Sequence, residues 1–289
     1  MSFGRVADDY DRVRPSPPDA ALDWLVPPDC DTAVDVAAGT GLFTRALRSR
    51  VSHVTAVEPD DRMRAVLAAR SPGVRVVAGR GEAIPLPDGS TDGVFVSSAW
   101  HWLDPARAVP EIARVLRDGG RLGVIWTSRD RAVDWVAELD ALRRPHQARS
   151  AGDARSVLRR RHAITLPESA PFENAASASF GFTRTMTVDS VVAWVGTNSG
   201  VITAPAEERE AGLARVRDAL LRRAGGDGTV EIPLWSRCWR ADRIRRPLSG
   251  RPVGAPYPVS RGKSWRAAAS WRKITAGAAG GALAPDQGG

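Results

Sequence analysis

The stretch that decides the fold is Val34-Asp35-Val36-Ala37-Ala38-Gly39-Thr40-Gly41. It continues an apolar run that begins at Thr32, as in a buried strand, and Leu42 to Arg50 follows with the spacing of a helix. Glycines at positions 39 and 41 let a ligand approach the backbone closely between the strand and the helix. In open α/β sheets such a turn lies at the carboxyl edge, where cofactors bind.

Strand and helix patterns alternate after this turn, which is typical of a parallel sheet. Further strands are predicted at 53–57, 74–78, 93–98 and 122–127, with helices at 60–70 and 105–116. Two longer alternating stretches, Ala175 to Thr187 and Thr229 to Arg240, are expected to complete the sheet as an antiparallel pair. The pattern predicts an α/β fold: a Rossmann-like, doubly wound, mostly parallel seven-stranded sheet with an antiparallel C-terminal strand pair.

Composition excludes several classes of protein. The chain has 289 residues, of which 43% are hydrophobic, so it can bury a large core in one or two domains. No run of about 18 apolar residues occurs, and the N-terminus lacks a secretory signal, so we expect a cytoplasmic protein without a membrane partner. The two cysteines, Cys30 and Cys238, form no CxxC or Cys/His cluster, and no metal site is predicted.

The net charge of +8 is concentrated at the C-terminal end of the chain. Residues 241–289 carry nine Lys or Arg against two Asp, and the remaining 240 residues have a charge near +1. This distribution disfavours nucleic acid as a partner of the main body. The sequence predicts a domain over residues 1–243 and a flexible tail rich in Gly, Pro and Arg over residues 244–289.

Two acidic residues near the glycine turn indicate the kind of cofactor. Glu58 ends the second strand, where it can accept hydrogen bonds from both hydroxyls of a ribose. Asp35 lies inside the first strand, and its charge would repel a pyrophosphate but attract an ammonium group. Thr44 stands where a pyrophosphate-binding turn usually has a third glycine. These residues favour a nucleoside that carries an amino acid, and a NAD-dependent oxidoreductase is the alternative.

Further motifs follow in order along the chain: Glu58-Pro59, 79–88 (Gly-Arg-Gly-Glu-Ala-Ile-Pro-Leu-Pro-Asp), Ala99-Trp100-His101-Trp102 and 115–120 (Val-Leu-Arg-Asp-Gly-Gly). With Val34 to Gly41, they resemble the motifs of class I S-adenosylmethionine-dependent methyltransferases of the type 11 subgroup. The resemblance covers roughly residues 30–128, and several motifs in register are more specific than a single glycine turn.

The resemblance implies S-adenosylmethionine as cofactor and suggests which residues contact it. Asp35, Ala37, Gly39 and Gly41 would surround the amino acid moiety, and Glu58 would hold the ribose. The other implied contacts are Tyr10 in an N-terminal segment that folds over the cofactor, Pro59 and Met63 at the adenine, the backbone of Gly81 and Glu82, and Ser98.

The sequence departs from the family pattern at two positions. Relatives often have glycine where Ala37 stands, and the extra methyl group takes a little room. Many relatives have an acid where Arg80 stands, and that acid binds the adenine amino group. Arg80 puts this contact in doubt, and Glu82 is the alternative residue for it.

The methyl acceptor is expected to be a small molecule, and O-, N- and C-methylation all remain open. His101 follows the fourth strand and is the candidate general base, because its ordinary pKa of about 6.5 suits proton abstraction near neutrality. Trp100 and Trp102 are candidates for binding the acceptor. All three could instead only shape or pack the site. Another alternative is a non-catalytic protein that binds the cofactor, or nucleic acid through the tail. Oligomeric state is not predicted.

Overall fold

The computed structural model describes residues 11–142, 164, 166–245 and 273–275. Within these residues one sheet has the strand order β3-β2-β1-β4-β5-β7-β6-β8. The strands are β1 Thr32–Val36, β2 His53–Val57, β3 Arg75–Val77, β4 Thr91–Ser97, β5 Leu116–Arg129, β6 Phe172–Thr187, β7 Thr229–Arg243 and β8 Lys273–Thr275. The helices are α1 Asp19–Leu25, α2 Leu42–Leu47, α3 Asp61–Arg70, α4 Pro105–Val115, α5 Asp134–Leu142, α6 Val188–Gly196, α7 Ser199–Ile202 and α8 Ala206–Leu221.

The first five strands form the parallel part of the sheet, as predicted. β1 lies between β2 and β4, with Val36 opposite Val57 on one side and Val96 on the other. The strand order reverses between β1 and β4, and open α/β sheets bind ligands at such a reversal. The glycine turn that follows β1 therefore lies at the expected position for a ligand.

The last strands confirm the predicted antiparallel pair. β7 runs antiparallel to both β5 and β6 over most of their lengths. A three-residue strand, β8, adds to the seven predicted strands and pairs in parallel with β6 at the edge of the sheet. The rest of the region after residue 245 lies outside the described residues, as does most of 145–172, and the domain boundary at residue 243 stays a prediction.

Both faces of the sheet are covered, which explains why β1 and β4 are buried along almost their whole lengths. Val34 and Val96 pack on the α4 face, while Ala33 and Phe95 pack with α1 and α2 on the other face. A third cluster joins α5, α6 and α8 to β7, and Val13 of the N-terminal segment belongs to it. The molecule therefore carries additional packed structure beside the C-terminal strand pair.

Helix starts follow capping residues that were visible in the sequence. The Asp60 side chain accepts hydrogen bonds from the backbone of Arg62 and Met63 at the start of α3. Asp104 does the same for Ala106 at the start of α4, where Pro105 is the first helical residue. Among the described helices, none has both the length and the apolar character needed to cross a membrane.

The predicted helix at 105–116 is confirmed to within one residue, but the start of the fifth strand was predicted too late. α4 ends at Val115, and β5 begins at Leu116, six residues earlier than predicted. Leu116 is already paired with Thr91 of β4, and an irregularity follows before Gly93 pairs with Arg121. Gly119 has a φ of 78° within this irregular start of the strand.

Candidate functional site

The glycine turn after β1 is built from residues with left-handed backbone torsions. Ala37, Gly39 and Gly41 have φ values of 55°, 58° and 84°. A Cβ added to Gly41 would lie 2.8 Å from Cγ of Leu67, so this glycine is required by packing. A Cβ added to Gly39 would meet no atom within 4 Å. Gly39 therefore borders open space that a ligand can enter.

Asp35 is fully buried in β1 and points toward α2. Its Oδ2 atom accepts a hydrogen bond of 2.6 Å from the Thr44 hydroxyl, whereas Oδ1 has no hydrogen-bond partner. Burial raises the pKa of Asp35 to about 7. A buried carboxylate oxygen without a donor is costly, and a cationic ligand group beside it would remove that cost.

Glu58 joins the end of β2 to the glycine turn. Its Oε2 accepts a hydrogen bond of 2.8 Å from the backbone N–H of Gly39, and its Oε1 accepts one of 2.9 Å from that of Asp60. The side chain is buried, and burial raises its pKa above the ordinary value. Each carboxylate oxygen has a further lone pair, so the predicted contact with a ribose is chemically compatible with this arrangement and stays a prediction.

A cavity of about 350 Å³ opens beside this turn. Five of its lining residues were predicted from the sequence: Ala37, Pro59, Gly81, Glu82 and Trp102. Arg80 was considered only as a departure from the family pattern. Four other lining residues were not predicted: Ala83, Leu103, Asp104 and Arg107. The carboxyl ends of β1 and β2 thus meet the segments after β3 and β4 around one space, as the fold predicts.

The segment after β3 is held against the start of α4. The Glu82 side chain accepts a hydrogen bond of 2.9 Å from the backbone N–H of Asp104. A Cβ on Gly81 would lie 2.9 Å from Cδ2 of Leu103, so a side chain at this position would displace Leu103. Glu82 therefore has a structural contact of its own beside its predicted role.

The two tryptophans of the Trp-His-Trp turn after β4 lie in different environments, one in the core and one at the cavity. Trp100 is 3% exposed and belongs to the core on the α4 face, so of its two possible roles burial favours packing. Trp102 is 58% exposed and lines the cavity, beside the predicted cofactor contacts. His101 is exposed, and its ring centroid lies 4.8 Å from that of Trp102.

Ser98 and Met63, which were predicted as cofactor contacts, are not among the residues that line the cavity. Ser98 directly follows β4, has a φ of 56°, and donates a backbone hydrogen bond of 2.8 Å to the Ile125 carbonyl. Ala37 and Ser98 thus both have left-handed backbone torsions directly after neighbouring strands. Such torsions in non-glycine residues cluster at functional sites. Met63 is 5% exposed in α3 and is not among the residues lining the cavity.

The N-terminal segment is attached to the glycine turn through ion pairs. Tyr10 lies outside the described residues, so its predicted contact is untested. The next residue, Asp11, is buried and pairs with Arg45 at 2.6 Å and Arg70 at 2.7 Å. Arg45 also donates to the Thr40 carbonyl at 3.1 Å. Burial raises the pKa of Asp11, but the hydrogen bonds from both arginines outweigh it and hold the pKa below its ordinary value.

Comparison with known proteins agrees with this geometry. Residues 34–124 match the methyltransferase domain family. An uncharacterized methyltransferase of Mycobacterium tuberculosis is 40% identical over 244 residues, which cover 83% of this chain and 95% of the relative. An uncharacterized methyltransferase-like protein of Schizosaccharomyces pombe is 31% identical over 207 residues, or 70% of this chain and 79% of the relative.

A solved structure shows the same fold. It comes from Anaeromyxobacter dehalogenans, from a protein named as a type II methyltransferase, and it is 25% identical with a TM-score of 0.59. The match covers 81% of this chain and 99% of that one. The resemblance predicted from the motifs is confirmed: the chain belongs to the methyltransferase family, as a class I S-adenosylmethionine-dependent enzyme of the type 11 subgroup.

Proposed function

We propose that this protein transfers a methyl group from S-adenosylmethionine to a small-molecule acceptor. The proposal is supported most directly by the buried Oδ1 atom of Asp35, which has no hydrogen-bond partner, together with the open space at Gly39 four residues later. The amino acid end of the cofactor carries an ammonium group that suits a buried carboxylate, and the missing Cβ gives it room.

The residues around the cavity suit the rest of the cofactor. Glu58 holds the ribose hydroxyls while keeping its backbone hydrogen bond to Gly39. Pro59, Gly81 and Trp102 supply apolar and backbone surface for the adenine ring. Arg80 lines the same cavity at a position where many relatives have an acid, so the adenine amino group is bound through backbone carbonyls or Glu82.

The cofactor, when bound, supplies a methyl group that its sulfonium makes electrophilic. The protein then has to hold the acceptor in line, exclude water and, for an O–H or N–H acceptor, accept a proton. His101 takes that proton on a ring nitrogen, since it lies on the turn after β4 at the carboxyl edge of the sheet. Its exposure leaves the ring accessible to an acceptor.

Titration calorimetry with adenosylhomocysteine and NAD tests the proposal. Adenosylhomocysteine is expected to bind with micromolar or tighter affinity, while NAD gives no heat at the same concentrations. Saturation by NAD without binding of adenosylhomocysteine would contradict the proposal, because Asp35 would then not select for an ammonium group.

A further inference from the structure

A buried arginine lies at the end of β5, away from the cavity described above. The Arg129 side chain is 4% exposed, and its Nη2 donates a hydrogen bond of 2.6 Å to Oδ1 of Asp140. Its guanidinium carbon lies 4.8 Å from the ring centroid of Trp194. Its Nε and Nη1 atoms are buried and have no hydrogen-bond acceptor. Two of the three nitrogens of this cation are therefore unsatisfied.

Unsatisfied donors on a buried cation are unfavourable, and native structures rarely keep them without a reason. Burial lowers the pKa of Arg129, and the positive charges of Arg131 and Arg14 lower it further, although Asp140 opposes them. Asp140 is shared, because Arg131 also forms an ion pair with it. Asp140 therefore neutralises Arg129 only in part, and the two unsatisfied nitrogens of Arg129 suit an added anion.

The same cluster includes the N-terminal segment. Arg14 donates to the side chain and the carbonyl of Thr197 at 3.3 and 3.4 Å. Thr197 caps α6, the helix that presents Trp194 to Arg129. The segment that passes Asp11 at the glycine turn thus reaches the Arg129 cluster three residues later.

The register of the sheet separates Arg129 from the amino acid end of the cofactor. Val36 at the end of β1 pairs with Val96, which pairs with Val124 of β5. Arg129 lies five residues beyond Val124, or about 16 Å along the strand, and two strands away from β1. The cofactor carboxylate near Gly39 is therefore out of its reach, and the anion it suits belongs to another molecule.

We propose that Arg129 binds an oxyanion, a carboxylate or a phosphate, of the methyl acceptor. Trp194 and Asp140 hold the guanidinium in place, and Arg14 and Arg131 add positive potential. The inference rests on the proposed function, which it narrows to acceptors that carry a negative charge. Because Arg129 is covered, the side chains around it must open to admit an anion, and small free anions should bind with only millimolar affinity.

Calorimetric titration of citrate and, separately, inorganic phosphate into protein saturated with adenosylhomocysteine tests the proposal. R129M should weaken binding of the effective anion at least tenfold and leave the affinity for adenosylhomocysteine unchanged. Methionine fills much of the same space, and Asp140 keeps Arg131 as partner, so the variant should fold. The matched control R131M removes a cation from the same carboxylate but none of the unsatisfied donors, and it should weaken anion binding only about twofold.

The possible results distinguish the two proposals. Binding of citrate alone identifies a carboxylate acceptor, and binding of phosphate alone identifies a phosphorylated one. No binding of either anion to the wild type, or equal losses in R129M and R131M, would overturn the assignment. A fall in adenosylhomocysteine affinity in R129M would also overturn it, since the guanidinium would then serve the cofactor.

If adenosylhomocysteine does not bind the wild type, the proposed function fails, and the anion titration into protein alone still tests Arg129. If R129M does not fold, R129K, which keeps the charge but loses the planar fork, should weaken anion binding severalfold.

Discussion

The two halves of the sheet, to which we assign the cofactor and the acceptor, differ in the kind of polar chemistry they offer. In the cofactor half, which comprises β1 to β4 and the segments after them, short strands end together and backbone torsions shape the site, as at Ala37 and Gly39. In the acceptor half, which comprises β5 to β7 with α5, α6 and α8, the strands have 14 to 16 residues and the polar chemistry lies in a buried side-chain cluster around Arg129. The cofactor half thus depends on backbone geometry, and the acceptor half depends on individual side chains.

The largest expected effect concerns His101, which lies in the segment after β4. H101Q should lower the turnover number at least about 100-fold for an O–H or N–H acceptor, because it removes a general base. The affinity for adenosylhomocysteine should change less than about twofold, since no cofactor contact is lost. Transfer of tritiated methyl groups to an acceptor found by screening small molecules measures the rate. H53Q, at an exposed position at the start of β2, is the control. A rate near that of the wild type would mean that His101 has no catalytic role.

The next effect tests whether the cofactor half selects its ligand by charge. D35N keeps the shape of the side chain and the contact with Thr44 but removes the negative charge. The affinity for adenosylhomocysteine at pH 8 should fall about 10- to 100-fold, the range for a charge-assisted hydrogen bond. Calorimetry of both proteins measures the difference, and equal affinities would contradict the assignment of Asp35 to the ammonium group.

The wild type and D35N should also differ in how their ligand affinity and stability depend on pH. The pKa of Asp35 is about 7, so wild-type affinity should fall about tenfold per pH unit below 7, because the carboxyl group must lose its proton to pair with the ligand. The affinity of D35N should stay flat over this range. A raised pKa in the folded state also means that wild-type stability decreases as the pH rises from about 4 to 7. D35N should therefore melt higher than the wild type at pH 8, and the difference should shrink toward pH 4.

Substitutions at the two glycines of the turn should distinguish a loss of ligand binding from a loss of packing. G39A places a methyl group in the open space assigned to the cofactor and should weaken adenosylhomocysteine binding roughly tenfold, with a stability loss near 1 kcal/mol from its left-handed φ. G41A places a methyl group 2.8 Å from Leu67 and should destabilise the fold by about 2 kcal/mol or more. Melting temperatures and calorimetry of both variants give the contrast. Unchanged affinity in G39A would place the cofactor elsewhere.

The sequence predicted the cofactor half well because its signals are local. Glycines next to a strand and the order of the motifs follow from nearby residues, and two of the residues they indicated, Pro59 and Gly81, line one cavity. Cavity residues on α4, such as Arg107, follow from the angle at which the helix meets the segment after β3, and no spacing encodes that angle.

In the acceptor half, the sequence predicted the three strands but no functional residue. Arg129, Asp140 and Trp194 come from three separate elements, and only tertiary packing brings them together. In the sequence, Arg129 is one arginine among many. Its burial, which gives it chemical significance, depends on α5 and α6 covering the end of β5, and a single sequence contains no sign of that.

The smallest expected effect concerns the departure at Ala37. Family members often have glycine there, and the φ of 55° supplies a torsional reason in addition to the space taken by a methyl group. A37G removes the left-handed penalty of about 1 kcal/mol but adds about 0.5–1 kcal/mol of unfolded-state entropy. Its melting temperature should therefore stay within about 3 °C of the wild type. A38G, whose backbone is not left-handed, only adds the entropy and should melt lower. Equal decreases in melting temperature in the two variants would mean that the turn stores no strain at Ala37. Only the glycines would then determine the backbone geometry of the cofactor half.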